Sequence, residues 1–208
     1  MVAIVDYGVG NLFSLEQSLN AIGGRPTVTA DPEVLKKADQ IILPGVGAFE
    51  DAAKKLRASG LDQVLRELAA AGKPLMGICL GMQMLFEKSY EYGEHEGLGL
   101  IPGQVVGMQG VIPADYKIPH IGWNALIFKK ASPLFKYIRE GDCVYFVHSY
   151  YATDCDDAVI ATAEYGPELT AAVARGNVMG CQFHPEKSGT VGLAILRAFL
   201  EMKEGSVC

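Results

Sequence analysis

PLMGICLGMQMLF, residues 74–86, joins an apolar run to a helix-like run through a cysteine with a glycine two positions away on either side. Residues 74–78 are typical of a buried strand, and residues 80–90 predict a helix. A nucleophile at the tip of such a turn needs a strained backbone, and small neighbours let strand and helix pack closely. Gly77 and Gly81 hold those positions around Cys79. The stretch predicts an α/β fold with a reactive thiol, whereas most buried cysteines are only packing residues.

Strands and helices alternate through the first half of the chain. Apolar runs at 2–5 and 40–45 predict buried strands, and each is followed by an amphipathic run, at 11–23 and at about 48–59. A further helix is expected over 61–72. Strands that alternate with helices of this length indicate a parallel sheet covered on both faces.

The second half is richer in short strands. We interpret its apolar segments as a mixed or antiparallel extension of the same sheet, and they are 105–109, 143–152, 158–164, 169–176 and 178–183. A closing helix is expected over 188–203. The prediction is therefore one domain over residues 1–208, with three layers: a mixed, mostly parallel central sheet, helices on both faces and a β-rich C-terminal half.

The composition argues against several classes of protein. The chain has 208 residues and 50% hydrophobic content, enough for one sizeable core. Its net charge is −6 and no run of Lys or Arg exceeds two, which argues against a nucleic-acid partner. No signal-peptide pattern opens the sequence, and no apolar run approaches the about 18 residues of a membrane span. We expect a cytoplasmic protein without a membrane partner.

The cysteines argue against a disulfide framework and against a structural metal. There are five, an odd number without a CxxC pair, at positions 79, 143, 155, 181 and 208. Apart from Cys79, we expect them to be reduced, buried packing residues. No metal site is predicted.

A cysteine nucleophile needs a base, and His184 is the best placed of the four histidines. It ends an apolar strand, at the sheet edge where the Cys79 turn must also lie. Pro185 favours an extended His184, so that Glu186 shares its side and can accept from one imidazole nitrogen while the other faces the thiol. Each residue alone also fits an ordinary strand-end or helix-start role. Together with GICLG they favour a Cys79–His184–Glu186 triad, in which a helix N-terminus and an imidazolium both favour the thiolate.

Acyl transfer also requires an oxyanion hole. One donor is expected to be the backbone N–H of Leu80, which follows the nucleophile. A second is expected from the loop Pro44–Gly47 after the strand at 40–45, through Val46 and Gly47, because its glycines let N–H groups point at a ligand. Without that context the loop is a simple strand-to-helix turn.

GICLGMQ, FHPEK and the LPGVG loop resemble the triad-type glutamine amidotransferases, over nearly the whole chain. More specific stretches are similar to the glutaminase subunits of imidazole glycerol phosphate synthases of the histidine pathway, namely DYGVGN (6–11), LPGVGAFED (43–51), GLGLIPG (97–103), PHIGWN (119–124) and YFVHSYY (145–151). The resemblance implies that Cys79 forms a thioester with glutamine and that ammonia is released. It further implies that Gln83 and Glu91 hold the amino-acid end of glutamine, with the backbone around Ser149 and Tyr150.

An acceptor subunit for the ammonia is also implied, because a domain of this size has no room for a second catalytic site. The resemblance identifies it as a (β/α)8-barrel cyclase, bound as a heterodimer, that makes imidazole glycerol phosphate and an aminoimidazole carboxamide ribotide. It implies that Asn11, Trp123, Asn124 and Lys187 face that partner, although Trp123 alone also fits a core position. It also implies that Pro44–Gly47 reaches its active conformation only when the cyclase is liganded.

Other interpretations stay open on the sequence alone. The chain is also compatible with the glutaminase subunit of a pyridoxal phosphate or anthranilate synthase, and with a cysteine peptidase or redox sensor built on a similar elbow. A dinucleotide fingerprint is rejected, because Gly8 and Gly10 are followed by Phe13 where the third glycine belongs. No cofactor is predicted.

Overall fold

The computed structural model describes residues 1–205. Over that range the strands are β1 (Val2–Val5), β2 (Pro26–Thr29), β3 (Gln40–Leu43), β4 (Leu75–Ile78), β5 (Lys88–Ser89), β6 (His95–Glu96), β7 (Gln104–Gly107), β8 (His120–Ala125), β9 (Ile127–Phe128), β10 (Cys143–His148), β11 (Tyr150–Thr153), β12 (Val159–Glu164), β13 (Glu168–Arg175) and β14 (Val178–Cys181). The helices are α1 (Leu12–Ala21), α2 (Pro32–Lys37), α3 (Phe49–Ala58), α4 (Leu61–Ala70), α5 (Leu80–Gln83) and α6 (Gly189–Leu200). Within residues 1–205, no helix combines the length and apolar character needed to cross a membrane.

The central sheet has eight strands in the order β2-β1-β3-β4-β14-β13-β12-β9. The first five are parallel to one another, and the last three join in antiparallel fashion. Successive residues of β1 belong to two different cores, because side chains alternate across a strand. Ala3 and Val5 pack with α2, α3 and α4, whereas Val2 and Ile4 pack with α1 and α6. The predicted three-layer α/β fold is confirmed.

Local signals explain where the helices begin. The side chain of Asn11 accepts a hydrogen bond from Ser14 N at 3.4 Å and caps α1. Asp31 caps α2 in the same way through Glu33 N at 2.9 Å, with Pro32 at the first helical position. Neither α2 nor β2 is predicted from the sequence, because each is too short to show a periodic apolar pattern.

The helix after Cys79 is shorter than predicted, and the expectation of a helix over 80–90 is wrong beyond Gln83. The backbone carbonyls that would continue it are already bonded elsewhere. Met84 O accepts from Leu98 N at 2.7 Å, and Leu85 O accepts from Leu100 N at 2.8 Å. These long-range bonds replace the helical ones, and they cannot be read from the local sequence.

The second half forms more than one sheet, contrary to the prediction. Strand β10 pairs with β8 in a two-stranded sheet, whereas β11 joins β7, β5 and β6 in a four-stranded one. The predicted single segment 143–152 is thus divided at Ser149, whose carbonyl accepts from Met108 N at 3.0 Å. An apolar run predicts a strand but does not determine which edge it pairs with.

The cysteines agree with the expectation in part. The thiols of Cys155 and Cys181 are free and buried, as expected, but Cys143 is free and exposed. Cys79 is free and also largely buried. Burial was wrongly predicted for Cys143 because it lies on the outward-facing side of β10, opposite Ala125. Cys208 lies outside the described residues.

The two glycines around Cys79 bring three backbones into contact. A Cβ atom on Gly81 would lie 1.9 Å from the carbonyl oxygen of Leu43, at the end of β3. A Cβ atom on Gly77 would lie 2.5 Å from the carbonyl oxygen of Gly81. The predicted close packing of strand and helix around Cys79 is therefore present, and it holds the end of β3 against the first turn of α5.

We expect Gly81→Ala to lower the free energy of unfolding by about 3 kcal/mol, because the new methyl group overlaps backbone atoms that cannot rotate away. Urea unfolding followed by circular dichroism measures the loss. Gly122→Ala is the matched control, since its Cβ would meet only the side chain of Asn124 at 3.8 Å. Equal stability of the two variants would contradict the backbone contact at Gly81.

Candidate active site

Cys79 lies at the carboxyl end of β4 with a strained backbone. Its φ of 54° and ψ of −112° are uncommon for any residue other than glycine. Such a conformation costs about 1–3 kcal/mol and persists only where neighbours hold it. Cys79 N donates to Cys181 O at 2.7 Å, and Cys79 O accepts from Gln83 N at 3.1 Å. The parallel partner strand β14 and helix α5 thus hold the turn on both sides.

His184 and Glu186 form a buried pair next to Cys79. His184 Nδ1 and Glu186 Oε1 lie 2.8 Å apart, and both side chains are almost completely buried. The turn that carries them is attached to β10 through Ser188, whose Oγ donates to His184 O at 2.7 Å and accepts from Tyr145 N at 2.9 Å. Glu186 therefore holds the imidazole ring of His184 through Nδ1, and Ser188 holds the His184 backbone through its carbonyl.

The surroundings of His184 favour its protonated form. Burial alone lowers the pKa of His184, because it removes water from the imidazolium. Hydrogen bonding and charge from Cys79 and from Glu186 outweigh that effect and raise the pKa to about 9. His184 is therefore held as an imidazolium at neutral pH, the form that can donate a proton.

Most of the predicted site residues line one pocket. The pocket is lined by Val46, Gly47, Cys79, Leu80, Gln83, Glu91, Pro119, Val147, His148, Ser149, Tyr150 and His184. Glu186 lies behind His184. The residues expected to face a partner lie elsewhere: Trp123 is exposed on the outward-facing side of β8, and Lys187 is exposed after Glu186.

The loop Pro44–Gly47 is held firmly at its first residues. The hydroxyl of Tyr7 donates to Pro44 O at 2.8 Å, and burial raises the pKa of Tyr7 well above its ordinary value, so it stays a donor. A Cβ atom on Gly45 would lie 2.8 Å from Gly81 N. Gly47 has a φ of 95°, and Val46 is exposed at the rim of the pocket. Only the last two residues of the loop therefore border open space near Cys79.

Gln83 and Glu91 are both held by hydrogen bonds before any ligand binds. Gln83 Nε2 donates to Tyr150 O at 3.1 Å and to Gln182 Oε1 at 3.1 Å. Glu91 Oε2 accepts from Phe49 N at 2.7 Å, at the start of α3, which has no side-chain cap of its own. Burial raises the pKa of Glu91. The two side chains reach the pocket from α5 and from the loop after β5.

A buried pair of histidines was not singled out from the sequence: His148 lines the pocket and His120 lies behind it. His148 Nδ1 contacts Tyr150 O at 2.9 Å, and His148 Nε2 contacts His120 Nδ1 at 3.1 Å. His120 Nε2 contacts Asn124 Oδ1 at 2.7 Å, and the Asn124 amide is oriented by its bond to Glu164 O. Burial lowers the pKa of His148 to about 3 and also lowers that of His120. Side chains alternate along β10, and His148 falls on the same buried side as Phe146, which was the available signal in the sequence. The contact of His148 with His120 could not be predicted from the sequence.

We expect the stability contributed by His184 to depend on pH. Folding raises its pKa from 6.5 to about 9, so its contribution to the free energy of unfolding is complete below the lower value and is lost as the pH rises through the higher one. Urea unfolding of the unaltered protein and of His184→Gln, at about pH 6 and about pH 9.5, measures the difference. A gap between the two proteins that stays constant over this range would contradict the raised pKa.

A family model and individual relatives of known name both match nearly the whole chain. A family model described as glutamine amidotransferase class-I matches residues 3–202. The chain is 50% identical over 201 residues to imidazole glycerol phosphate synthase subunit HisH of Lactococcus lactis subsp. lactis (strain IL1403), covering 96% of this chain and 98% of that protein. It is also 50% identical over 209 residues to the subunit of the same name from Geobacillus sp. (strain WCH70), covering 99% and 98% of the two chains.

Solved structures with low sequence identity share the fold. A glutamine amidotransferase crystal structure superposes with a TM-score of 0.75 at 22% identity, covering 97% of this chain and 98% of the other. The structure of PurLQS from Thermotoga maritima superposes with a TM-score of 0.74 at 22% identity, covering 96% of each. From the family match and the identity to these relatives, the chain belongs to the class-I glutamine amidotransferase family.

Proposed function

We propose that this chain is the glutaminase subunit of an imidazole glycerol phosphate synthase, and that it works through a Cys79–His184–Glu186 triad. The observation that carries the proposal is the contact of His184 with Glu186 at 2.8 Å, beside Cys79 in one pocket. Relatives about half identical over nearly the full chain carry that subunit name, which supports the same assignment here.

The first half of the reaction uses the thiolate and the imidazolium. Cys79 Sγ attacks the carboxamide carbon of glutamine, a C–S bond forms, and the electron pair moves onto the carboxamide oxygen. The N–H of Leu80 and the N–H groups of Val46 and Gly47 are the proposed donors to that oxyanion. The C–N bond then breaks as His184 gives its proton to the departing ammonia, leaving a thioester.

The second half returns the enzyme to its starting state. Neutral His184 takes a proton from water, the oxygen attacks the thioester carbon, and the C–S bond breaks to release glutamate and the Cys79 thiolate. Glu186 accepts from Nδ1 throughout, so that Nε2 is the nitrogen that faces the substrate. No cofactor takes part in this scheme.

The rim of the pocket offers groups for the amino-acid end of glutamine. Both hydrogens on the Gln83 amide nitrogen are already used, by Tyr150 O and by Gln182 Oε1, so Gln83 presents its oxygen, an acceptor. Glu91 adds a second acceptor, and together they suit an ammonium group. The backbone N–H groups around Ser149 and Tyr150 are the proposed donors to the carboxylate.

The proposed partner is a cyclase subunit with a (β/α)8 barrel, bound as a heterodimer that receives the ammonia. Trp123 supports an interface on the outward-facing side of β8 and β10, because its ring is about half exposed and packs against Tyr145 at 5.9 Å. Helix α1, capped by Asn11, packs against the turn that carries Lys187, so both lie on neighbouring elements. Asn124 stays a proposed interface residue of β8, and its Oδ1 lies 2.7 Å from His120 Nε2.

The remaining expectations are part of the same proposal. A single domain over residues 1–208 is proposed because the two larger cores of the described residues share the central sheet. A cytoplasmic location stays a prediction from the sequence, as does the inactive resting conformation of Pro44–Gly47.

We expect Cys79→Ala to lower glutamine-dependent synthesis in the complex at least about 1,000-fold, because no thioester can form. Synthesis driven by added ammonium chloride is expected to be unchanged, because ammonia bypasses the glutaminase site. The assay uses the complex with a barrel cyclase and its ribotide substrate, and it measures glutamate and imidazole glycerol phosphate separately. Product formation from glutamine by the variant would exclude the assigned nucleophile.

We expect Trp123→Ala to raise the Kd for the cyclase at least about tenfold, since large aromatics at the centre of an interface carry much of the binding energy. Titration calorimetry measures the affinity. Tyr137→Ala is the control, because Tyr137 is a similarly exposed aromatic that lies against Glu201. Unchanged affinity after the Trp123 substitution would place the interface on another face.

A further inference from the structure

Gln182 is a fully buried polar residue to which the sequence assigns no role. It follows β14, two residues before His184, and its side chain is 0% exposed. Its Oε1 accepts from Gln83 Nε2 at 3.1 Å, and its Nε2 lies 3.8 Å from Cys79 Sγ. A single amide therefore connects the proposed nucleophile with a side chain of the proposed substrate pocket.

The orientation of both amides follows from one backbone carbonyl. Tyr150 O can only accept, so the group of Gln83 that contacts it at 3.1 Å must be the NH₂ nitrogen. The same nitrogen faces Gln182, which must then present its oxygen to Gln83. The nitrogen of Gln182 is thereby turned toward Cys79, and the oxygen of Gln83 is left for a ligand.

We propose that Gln182 is a positioning residue of the glutaminase site: together with Tyr150 O it holds the acceptor end of Gln83 toward the amino group of the substrate, and it donates a hydrogen bond to Cys79 Sγ. The proposal rests on the proposed function. Gln182 holds the nucleophile and the substrate-binding amide in one alignment.

The bond to sulfur distinguishes this role from simple packing. A hydrogen bond donated to an ionised acceptor is stronger than one donated to a neutral acceptor, so the Gln182 amide favours the thiolate over the thiol. Because Gln182 is completely buried, water does not replace the donor when the amide is removed. Loss of the amide should therefore raise the pH at which Cys79 becomes reactive, since the other titratable groups that face Cys79, His184 and Tyr7, are unchanged. Gln83 would keep its bond to Tyr150 O but lose the second of its two hydrogen-bond partners.

The test is the pH dependence of Cys79 alkylation by iodoacetamide in the full chain. All proteins carry Cys143→Ser and Cys208→Ser, since Cys143 is exposed, and the adduct at Cys79 is quantified by peptide mass spectrometry. We expect Gln182→Met to move the midpoint upward by about one pH unit, an about tenfold slower reaction below the midpoint. In glutamine hydrolysis KM is expected to rise as well, because Gln83 is then held by one hydrogen bond instead of two.

Gln40→Met is the matched control. Gln40 is also a buried glutamine, and its Nε2 donates to Leu200 O at 3.0 Å and to Met202 O at 2.8 Å, so its loss removes a comparable amide from the core. It should leave the alkylation profile unchanged. If Gln182→Met does not fold, Gln182→Leu replaces it, with the same upward movement expected because it also lacks the amide donor.

An alkylation profile of folded Gln182→Met that superimposes on that of the unaltered protein overturns the proposal, as does an equal displacement in Gln40→Met. This test can fail or succeed independently of the proposed function. If the unaltered protein fails to hydrolyse glutamine with the cyclase while the Gln182 variant still shifts the profile, the function is wrong and the contact of Gln182 with Cys79 stands.

Discussion

The parallel pairing of β4 with β14 is the contact on which the candidate site depends. Its register sets Ile78 opposite Cys181, so the residues that follow each strand, Cys79 on one and His184 on the other, emerge at the same edge of the sheet. They are about a hundred residues apart in the chain, and only this pairing brings them together. Both strands are completely buried, which keeps the register from slipping, because a shift of one residue would move every side chain to the opposite core.

At that edge of the sheet, the side chains and loops of the candidate site are fixed by neighbouring residues that are themselves hydrogen-bonded or tightly packed. Glu186 holds the His184 ring, Ser188 ties its carbonyl to β10, and the tight fit between Gly81 and Leu43 fixes the elbow. Glu91 is bonded to Phe49 N, at the start of the helix that follows the Pro44–Gly47 loop. The pocket is thus largely organised in advance, which lowers the cost of bringing reacting groups into alignment.

Local patterns in the sequence were enough to predict those strands, helices and turns that are determined by residues close to one another in the chain. The buried runs at β1, β3 and β4, the amphipathic α1, α3 and α4, and the glycines flanking Cys79 are all signals of this kind, and the structure contains them. What the sequence did not reveal depends on distant partners. The division of 143–152 at Ser149, the early end of α5 and the burial of Gln182 against Gln83 are each decided by residues far away in the chain.

The contact between Gly81 and the end of β3 limits how a lineage can diversify around Cys79. In a packed core, one side chain can shrink while its neighbour grows, so that total volume is conserved. Where main chain lies directly on main chain, as at Gly45, Gly77 and Gly81, no such exchange is possible. Sequence drift near Cys79 is therefore directed to outward positions such as Val46, where the rim of the pocket can change its shape and polarity while the geometry beneath it is inherited intact.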